Sequence, residues 1–437
     1  MNSLQGFVAA GQRIAVCISS LKLPIKRAVI VSNSCSVGGG SSKVAIETAK
    51  ILAAHTNWEV CLFCGFSASE SEEELKKLGV RIVSMRRNPY LECVSVHSAL
   101  AGLYDSSSAK AFSRLLNEGN PATTIVHFHS WLHTLSPSLF FAAARFGAPV
   151  CVTAHEYFSI CPNGGLFDYN QLEKCRKKAL SPSCLLCNCD KRSYVQKVYR
   201  CVRHLIQVRG FRAAKASFFA ISTINRTLLE QHAVLGGVRG MLLNPIDVSA
   251  VSPIPCKLKK DSFFLYVGRL DVEKGIELLC EAARRANAKL VVVGDGPLMP
   301  QLREAYPEIR YEGWKNFNEI AGYYLMARAV VIPSLLYETS SLVVLEAKAL
   351  GAAPFVVPTE CASGEYIQDG IDGLVFESGD VASLSSALQA LEDDELLARL
   401  RTAQFHLEGR TAEDYFAALC AAYREAVNRM NLGGDAR

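Results

Sequence analysis

Two blocks of alternating apolar strands, tight turns and helices, separated by a stretch rich in Pro, Ser and Lys, constrain the fold of this chain more than any other feature. The first block opens at Arg27 with AVIVSN, continues through the turn SVGGGSS and enters the helical run KVAIETAKILAAH. Strand-like segments recur at VCLFCG, RIVSM, TIVHFHS and PVCVTAH, several of them followed by helical stretches such as SPSLFFAAARFG. The same order restarts at SFFLYVG and runs through LVVVGDG, AVVIPS, APFVVP and GLVF. Strand, turn and helix in alternation imply a parallel sheet covered on both faces. The expected class is therefore α/β, with two doubly wound Rossmann-like domains and a cleft between them. The expected division is residues 1–245, a linker at 246–262, a second domain at 263–410 and a last helix at 411–437 that can pack on either domain, back on the first included. Ligands of such sheets bind beyond the carboxyl ends of the strands.

Length and composition agree with this division. At 437 residues the chain can bury two ordinary cores. Its most apolar run, Leu139 to Val152, is broken by Arg145 and is too short to span a bilayer. The first 25 residues lack a basic start followed by an unbroken apolar segment, so a cytoplasmic location is expected. The net charge of +5 hides an uneven distribution: residues 174–215 hold twelve Lys or Arg against one acid, Asp190. That local +11 on an otherwise mildly acidic chain suits a peripheral contact with an anionic membrane surface or a phosphate-bearing acceptor, or else a solvated helix face. No recognition motif accompanies the charge, so no nucleic acid partner is expected.

Within the same region, about residues 160–215, lies a cysteine-rich insert carrying Cys161, Cys175, Cys184, Cys187 and Cys189. Cys184 and Cys187 have CxxC spacing. Four thiolates drawn from Cys175, Cys184, Cys187 and Cys189, or with Cys161 in place of the last, are candidates for a structural zinc. Reduced thiols on a loop are the alternative.

The strand ends concentrate side chains with chemistry. Gly38, Gly39 and Gly40 follow the first strand and let backbone N–H groups approach an anion. His127 and His129 alternate on one strand, so both face one side, and His155 ends the next. GRLDVEKG places Arg269 and Lys274 in a strand-to-helix loop, where two cations can clamp a diphosphate. GDG at Gly294–Gly296 lacks the third glycine of a dinucleotide fingerprint, which argues against a nicotinamide dehydrogenase. In LLYETSSLVVLEA, Glu338 precedes a helix that Ser340 or Ser341 can cap, and Glu346 interrupts its apolar stripe beside Val343 and Leu350. No basic residue lies at i±3 or i±4 of Glu346. Such a carboxylate costs several kcal/mol unless a partner comes from elsewhere in the fold or water reaches it.

The ordered set GGG, HFHS, TAHE, NPID, YVGRLDVEKG, VVVGDGPL, IPSLLYETSSLVVLEA and GIDGLVF resembles the retaining glycosyltransferases of family 4, which have the GT-B fold. The likeness covers roughly residues 27–430 and is most specific in its second half. It implies transfer of a sugar from a nucleotide diphosphate to a glycan or lipid-linked acceptor, in polysaccharide or lipopolysaccharide biosynthesis. Configuration would be retained and no metal or other cofactor required for catalysis. The first domain would be the acceptor side and the second would bind the nucleotide sugar. By the same resemblance Glu338 contacts donor-sugar hydroxyls and Glu346 the ribose, while backbone N–H groups from Thr339 through Ser340 and Ser341 to Leu342 meet the diphosphate. Arg269 and Lys274 stabilise the departing diphosphate, His155 lies near the transferred sugar, and Gly39 and Gly40 approach the phosphates and acceptor. The insert after CPNGG looks like that of some bacterial exopolysaccharide and lipopolysaccharide transferases. The sequence departs from the family where Pro245 follows Asn244 in place of the usual glycine. Two other functions fit the residues: epimerisation or hydrolysis of a sugar nucleotide, and a non-enzymatic, zinc-stabilised protein that binds membranes or polyanions.

Overall fold

The computed structural model describes residues 24–36, 39–67, 69–87, 96–231, 237–248, 251–254, 256–352, 354–402 and 409–432. Gly38 and the first 23 residues lie outside them. The first sheet is built from β1 (Arg27–Ser34), β2 (Glu59–Phe66), β3 (Arg81–Ser84), β4 (Thr124–Phe128) and β5 (Val150–Thr153). A short antiparallel hairpin, β6 (Phe167–Asp168) with β7 (Glu173–Lys174), intervenes before β8 (Ser217–Ala220) and β9 (Val238–Met241) complete the sheet. Its order is β3-β2-β1-β4-β5-β8-β9, and every pairing is parallel. The second sheet joins β10 (Phe264–Val267), β11 (Leu290–Val293), β12 (Arg310–Gly313), β13 (Ala329–Val331), β14 (Phe355–Pro358) and β15 (Gly373–Phe376). Its order is β12-β11-β10-β13-β14-β15, again parallel throughout.

Strands read as nearly unbroken apolar runs because helices cover both faces. Successive residues of β1 go to opposite sides: Val29 and Val31 join a core with Phe63, Phe128 and Phe140, while Ala28 and Ile30 join one with Leu52 and Leu62. β10 divides in the same way, Phe264 and Tyr266 on one face and Leu265 on the other. The last helix, Ala412–Leu432, lies on the first sheet. Its Tyr415, Phe416, Leu419 and Tyr423 complete the core around Ala28 and Ile30, and Tyr415 Oη lies 2.8 Å from Thr48 Oγ1.

Strand order reverses between β1 and β4 in the first sheet and between β10 and β13 in the second. Such a reversal splays the loops that leave the carboxyl ends and opens a crevice. The glycine turn after β1, the GRLDVEKG loop after β10 and the Glu338 loop after β13 therefore all issue from these points. The insert between β5 and β8 adds a short helix, Pro182–Leu186, and a long one, Tyr194–Ala213, whose start is capped by Ser193 accepting from Gln196 N. No helix among the described residues is long and apolar enough to cross a membrane.

Candidate functional site

The helix Leu342–Ala349 organises the crevice. Ser341 is its N-cap residue but makes no side-chain cap bond, so that side chain leaves the first-turn N–H groups unsealed. The helix end carries partial positive charge and faces the other lobe. A Cβ added to Gly40 would lie 3.2 Å from Leu342 Cδ1, so the glycine turn of the first lobe abuts the helix start of the second. Thr339 Oγ1 donates to the His155 carbonyl at 2.7 Å, a second bridge across the crevice.

Glu338 is buried and accepts from Lys274 Nζ at 2.7 Å and from Ser334 Oγ at 2.7 Å. Burial opposes charge on both partners of the pair, yet their mutual attraction prevails. Glu338 is held below the usual carboxylate range and Lys274 above the usual amine range. Lys274 reaches Glu338 because Gly275, at φ +69°, allows its turn to press on the Pro333 carbonyl; a Cβ there would sit 2.0 Å from that oxygen.

Arg269 behaves differently. Its side chain is 70% exposed and ion-paired to Asp271, with Glu273 3.7 Å away. Lys191 of the insert binds the same two acids, at 2.7 and 3.2 Å. The structure thus draws Arg269 and Lys274 onto separate carboxylates.

Glu346 finds its partner in the first lobe. Lys43 Nζ lies 2.5 Å from Glu346 Oε1 and 4.6 Å from the centre of the Phe317 ring. The pair lines an interlobe cavity of about 590 Å³, together with Leu342 and Phe317. The helix therefore presents Glu346 to the cavity from its second turn, while Glu338, just before its start, is buried on Lys274 and Ser334.

His155 and His129 are paired, Nε2 to Nδ1 at 2.9 Å, beyond the ends of β5 and β4. Burial pushes His155 down to about 3 and His129 well below its usual value, so both are neutral near pH 7. His127 is part of the core: Nδ1 meets Tyr423 Oη at 3.0 Å and Nε2 meets Thr153 Oγ1 at 2.8 Å.

The zinc expectation finds no support. Among the described residues no group of three or more His, Cys, Asp or Glu side chains is placed to hold a metal ion. Instead the buried ammonium of Lys197 donates to Cys189 Sγ at 3.0 Å and Cys184 Sγ at 3.5 Å, occupying with its own charge the place between two sulfurs where a cation would sit. Cys187 Sγ donates to Asp168 Oδ2 at 3.1 Å, and Cys161 and Cys175 join neither set of bonds.

Three participants escaped the sequence reading. Ser334, the residue beside Glu338, had a local signal as a hydroxyl four positions earlier in the same loop. Lys43 and Lys191 had none, since their partners lie 303 and 80 or more residues away.

Comparison with known proteins adds a second line of evidence. Residues 261–394 match the family model described as Glycosyl transferases group 1, and residues 39–217 match Glycosyl transferase 4-like domain. A GDP-mannose-dependent alpha-mannosyltransferase of Corynebacterium glutamicum is 33% identical over 130 residues, 30% of this chain and 31% of that protein. An O-antigen chain mannosyltransferase C of Escherichia coli is 30% identical over 142 residues, 31% and 38% of the two chains. The match thus spans about a third of the length of these curated relatives. Among solved structures, Anabaena Alr3699/HepE in complex with UDP and glucose superposes with TM-score 0.58 at 14% identity, over 94% of this chain and 98% of that one. Sucrose-phosphate synthase from Thermosynechococcus elongatus does so with TM-score 0.62 at 17% identity, over 93% and 98%.

Proposed function

Because this chain belongs to the group 1 glycosyl transferases and has their GT-B fold, we propose that it moves a sugar from a nucleotide diphosphate sugar to a polysaccharide or lipid-linked glycan, with retention of configuration. The observation that carries the reading is the pair of carboxylates on either side of one interlobe helix start, Glu338 in the loop before it, tied to Lys274, and Glu346 in its second turn, reached from the first lobe by Lys43. Ionised carboxylates only accept hydrogen bonds, which suits them to sugar and ribose hydroxyls. The unsealed helix start between them suits the diphosphate. On this reading a donor extends along the helix, its sugar at Glu338 and its ribose at Glu346. Lys274, already charged and held in place, stabilises negative charge on the departing diphosphate, and Arg269 joins it after exchanging Asp271 for phosphate. The neutral His155 orients the sugar by a hydrogen bond rather than by charge. The acceptor approaches from the first lobe. The curated relatives support a glycan acceptor, one of them being an O-antigen chain mannosyltransferase.

The test is a thermal-shift screen against a panel of nucleotide sugars, followed by transfer assays with the donor that stabilises the protein. Glu338→Ala, Lys274→Ala and Arg269→Ala are expected to lower transfer by roughly a hundredfold each, the loss typical of a transition-state contact. Full transfer in all three variants, or no stabilisation by any nucleotide sugar, refutes the assignment. Consumption of donor without acceptor would point to epimerisation or hydrolysis.

A further inference from the structure

The insert helix Tyr194–Ala213 is polar on much of its buried side. Before Val208, Gly210 and Phe211, the last of which joins the core, that side holds Lys197, Cys201, Arg203, His204 and Gln207. These polar groups are bonded inward: Lys197 to two sulfurs, Arg203 to the Leu132 carbonyl at 3.4 Å, and Gln207 to Trp131 Nε1 at 2.9 Å and the Phe158 carbonyl at 2.7 Å. Its outer side shows Val195 (77% exposed), Val198 (48%), Val202 (42%) and Leu205 (44%), spaced three and four apart on one stripe. Two further helical steps bring Arg209 and Arg212, both exposed.

Seven of the sixteen large hydrophobics exposed among the described residues fall between Leu185 and Leu205, so the patch is local and not the scatter of an ordinary surface. The preceding short helix adds Leu185 and Leu186, the latter 80% exposed. Tyr199 Oη donates to the Ala99 carbonyl at 2.8 Å, which holds the helix Val96–Leu103 and its exposed Leu100 alongside.

Charge identifies the occupant. Residues 174–215 carry twelve cations and one acid, Asp190, which is buried and paired with Arg200 at 3.0 Å. Lys197 and Arg203 are buried and Lys174, Arg176 and Lys191 pair with acids of the second lobe, while Lys177, Lys178, Arg209 and Arg212 are exposed. The stripe is thus bordered by Lys and Arg without an exposed carboxylate of its own segment. A second copy of this chain would bring two such cationic segments together, which is repulsive. A leaflet of anionic lipids offers hydrocarbon to the Val and Leu side chains and phosphate to the flanking guanidinium and ammonium groups.

We propose that the helix Tyr194–Ala213 is a membrane-docking element that lies in the headgroup region of an anionic leaflet, with Val195, Val198, Val202 and Leu205 inserted and Arg209 and Arg212 on lipid phosphates. Lys191, three residues before the helix, is bonded to Asp271 and Glu273 in the loop after β10, so the docked element begins at the crevice mouth. A lipid-linked acceptor would then meet the crevice from the leaflet. That last consequence rests on the transferase reading; docking itself does not.

The experiment is flotation of the full chain with vesicles of phosphatidylcholine alone and of phosphatidylcholine mixed with phosphatidylglycerol. Binding is expected to the mixed vesicles only, and Val198→Glu with Leu205→Glu is expected to weaken it by about tenfold or more, since two inserted side chains are lost and two anions added. The doubly substituted protein should keep the wild-type melting temperature and response to nucleotide sugars, because both positions are exposed. Failure of the wild type to float, equal flotation of the variant, or a wild-type dimer that the variant converts to monomer overturns the proposal. Nucleotide-sugar stabilisation that persists while flotation fails leaves the transferase reading standing and removes only the docking element.

Discussion

His127, His129 and His155 form a buried row at the first lobe's strand ends, with His127 and His129 ring centres 4.2 Å apart and His129 and His155 5.1 Å apart. Burial lowers His127 and His155 to about 3, and the neighbouring imidazoles add to the effect on His127 and His129. An unfolded histidine titrates near about 6.5. As pH falls through that value the unfolded chain takes up protons that the native row refuses, so stability is complete above it and lost toward the folded value. Each histidine contributes a loss of about 1.4 kcal/mol per pH unit across that window. The melting temperature is therefore expected to drop steeply between pH 7 and pH 5, and His127→Gln, which removes one proton from the difference, should flatten the slope. A melting temperature independent of pH over that range would disprove the neutral row. The three histidines were legible at strand ends as candidates; that His127 is a core residue was not, because Tyr423, its partner, arrives from the last helix.

Elements were legible wherever a local pattern recorded a packing need. The apolar runs located β1 to β5, β10, β11 and β13 to β15 but not β8, β9 or β12, and GDG located a loop of close backbone approach without the third glycine of a dinucleotide fingerprint. Gly294 has φ +139°, and a Cβ there would lie 1.9 Å from the Gly268 carbonyl oxygen; one on Gly296 would lie 2.6 Å from that of Leu270. The two loops after β10 and β11 thus touch backbone to backbone. Gly294→Ala combines a forbidden dihedral with a clash, and is expected to cost about 2 kcal/mol or more, read as a lower melting temperature. Gly351→Ala provides the contrast, with φ +78° but nothing within 4 Å, and should lose less. Equal losses would show that space at Gly294 is irrelevant. The insert shows the opposite situation. Its CxxC spacing suggested metal, whereas the fold brings Lys197 to Cys184 and Cys189 and leaves Cys187 on Asp168, and its Val and Leu stripe turns outward.

At the scale of the molecule, the lobes are joined by ion pairs and hydrogen bonds drawn from distant parts of the chain: Lys43 to Glu346, Lys191 to Asp271 and Glu273, and the Glu365 carboxylate to the Thr223 N–H at 2.8 Å. Most of these groups remain partly exposed, so dissolved ions compete with them. At about 1 M salt the screening length falls to about 3 Å. Small-angle scattering is then expected to show a larger radius of gyration than at low salt, and Lys43→Ala combined with Lys191→Ala should reproduce that opening without added salt. An unchanged radius in both experiments would mean that apolar contact alone holds the lobes. By itself the sequence determined two parallel sheets, most of their strands, and the loops from which chemistry must issue, because strand period, glycine turns and helix caps are short-range requirements; the edge strands β9 and β12 and the strand β8 were left to the fold. Only the tertiary structure decided which charges meet, that Glu346 answers to Lys43, that Arg269 rests on Asp271, and that Cys184 and Cys189 meet at Lys197. A charge buried between lobes is neutralised by whichever group the folded chain brings within a few ångströms, and no local rule specifies that neighbour.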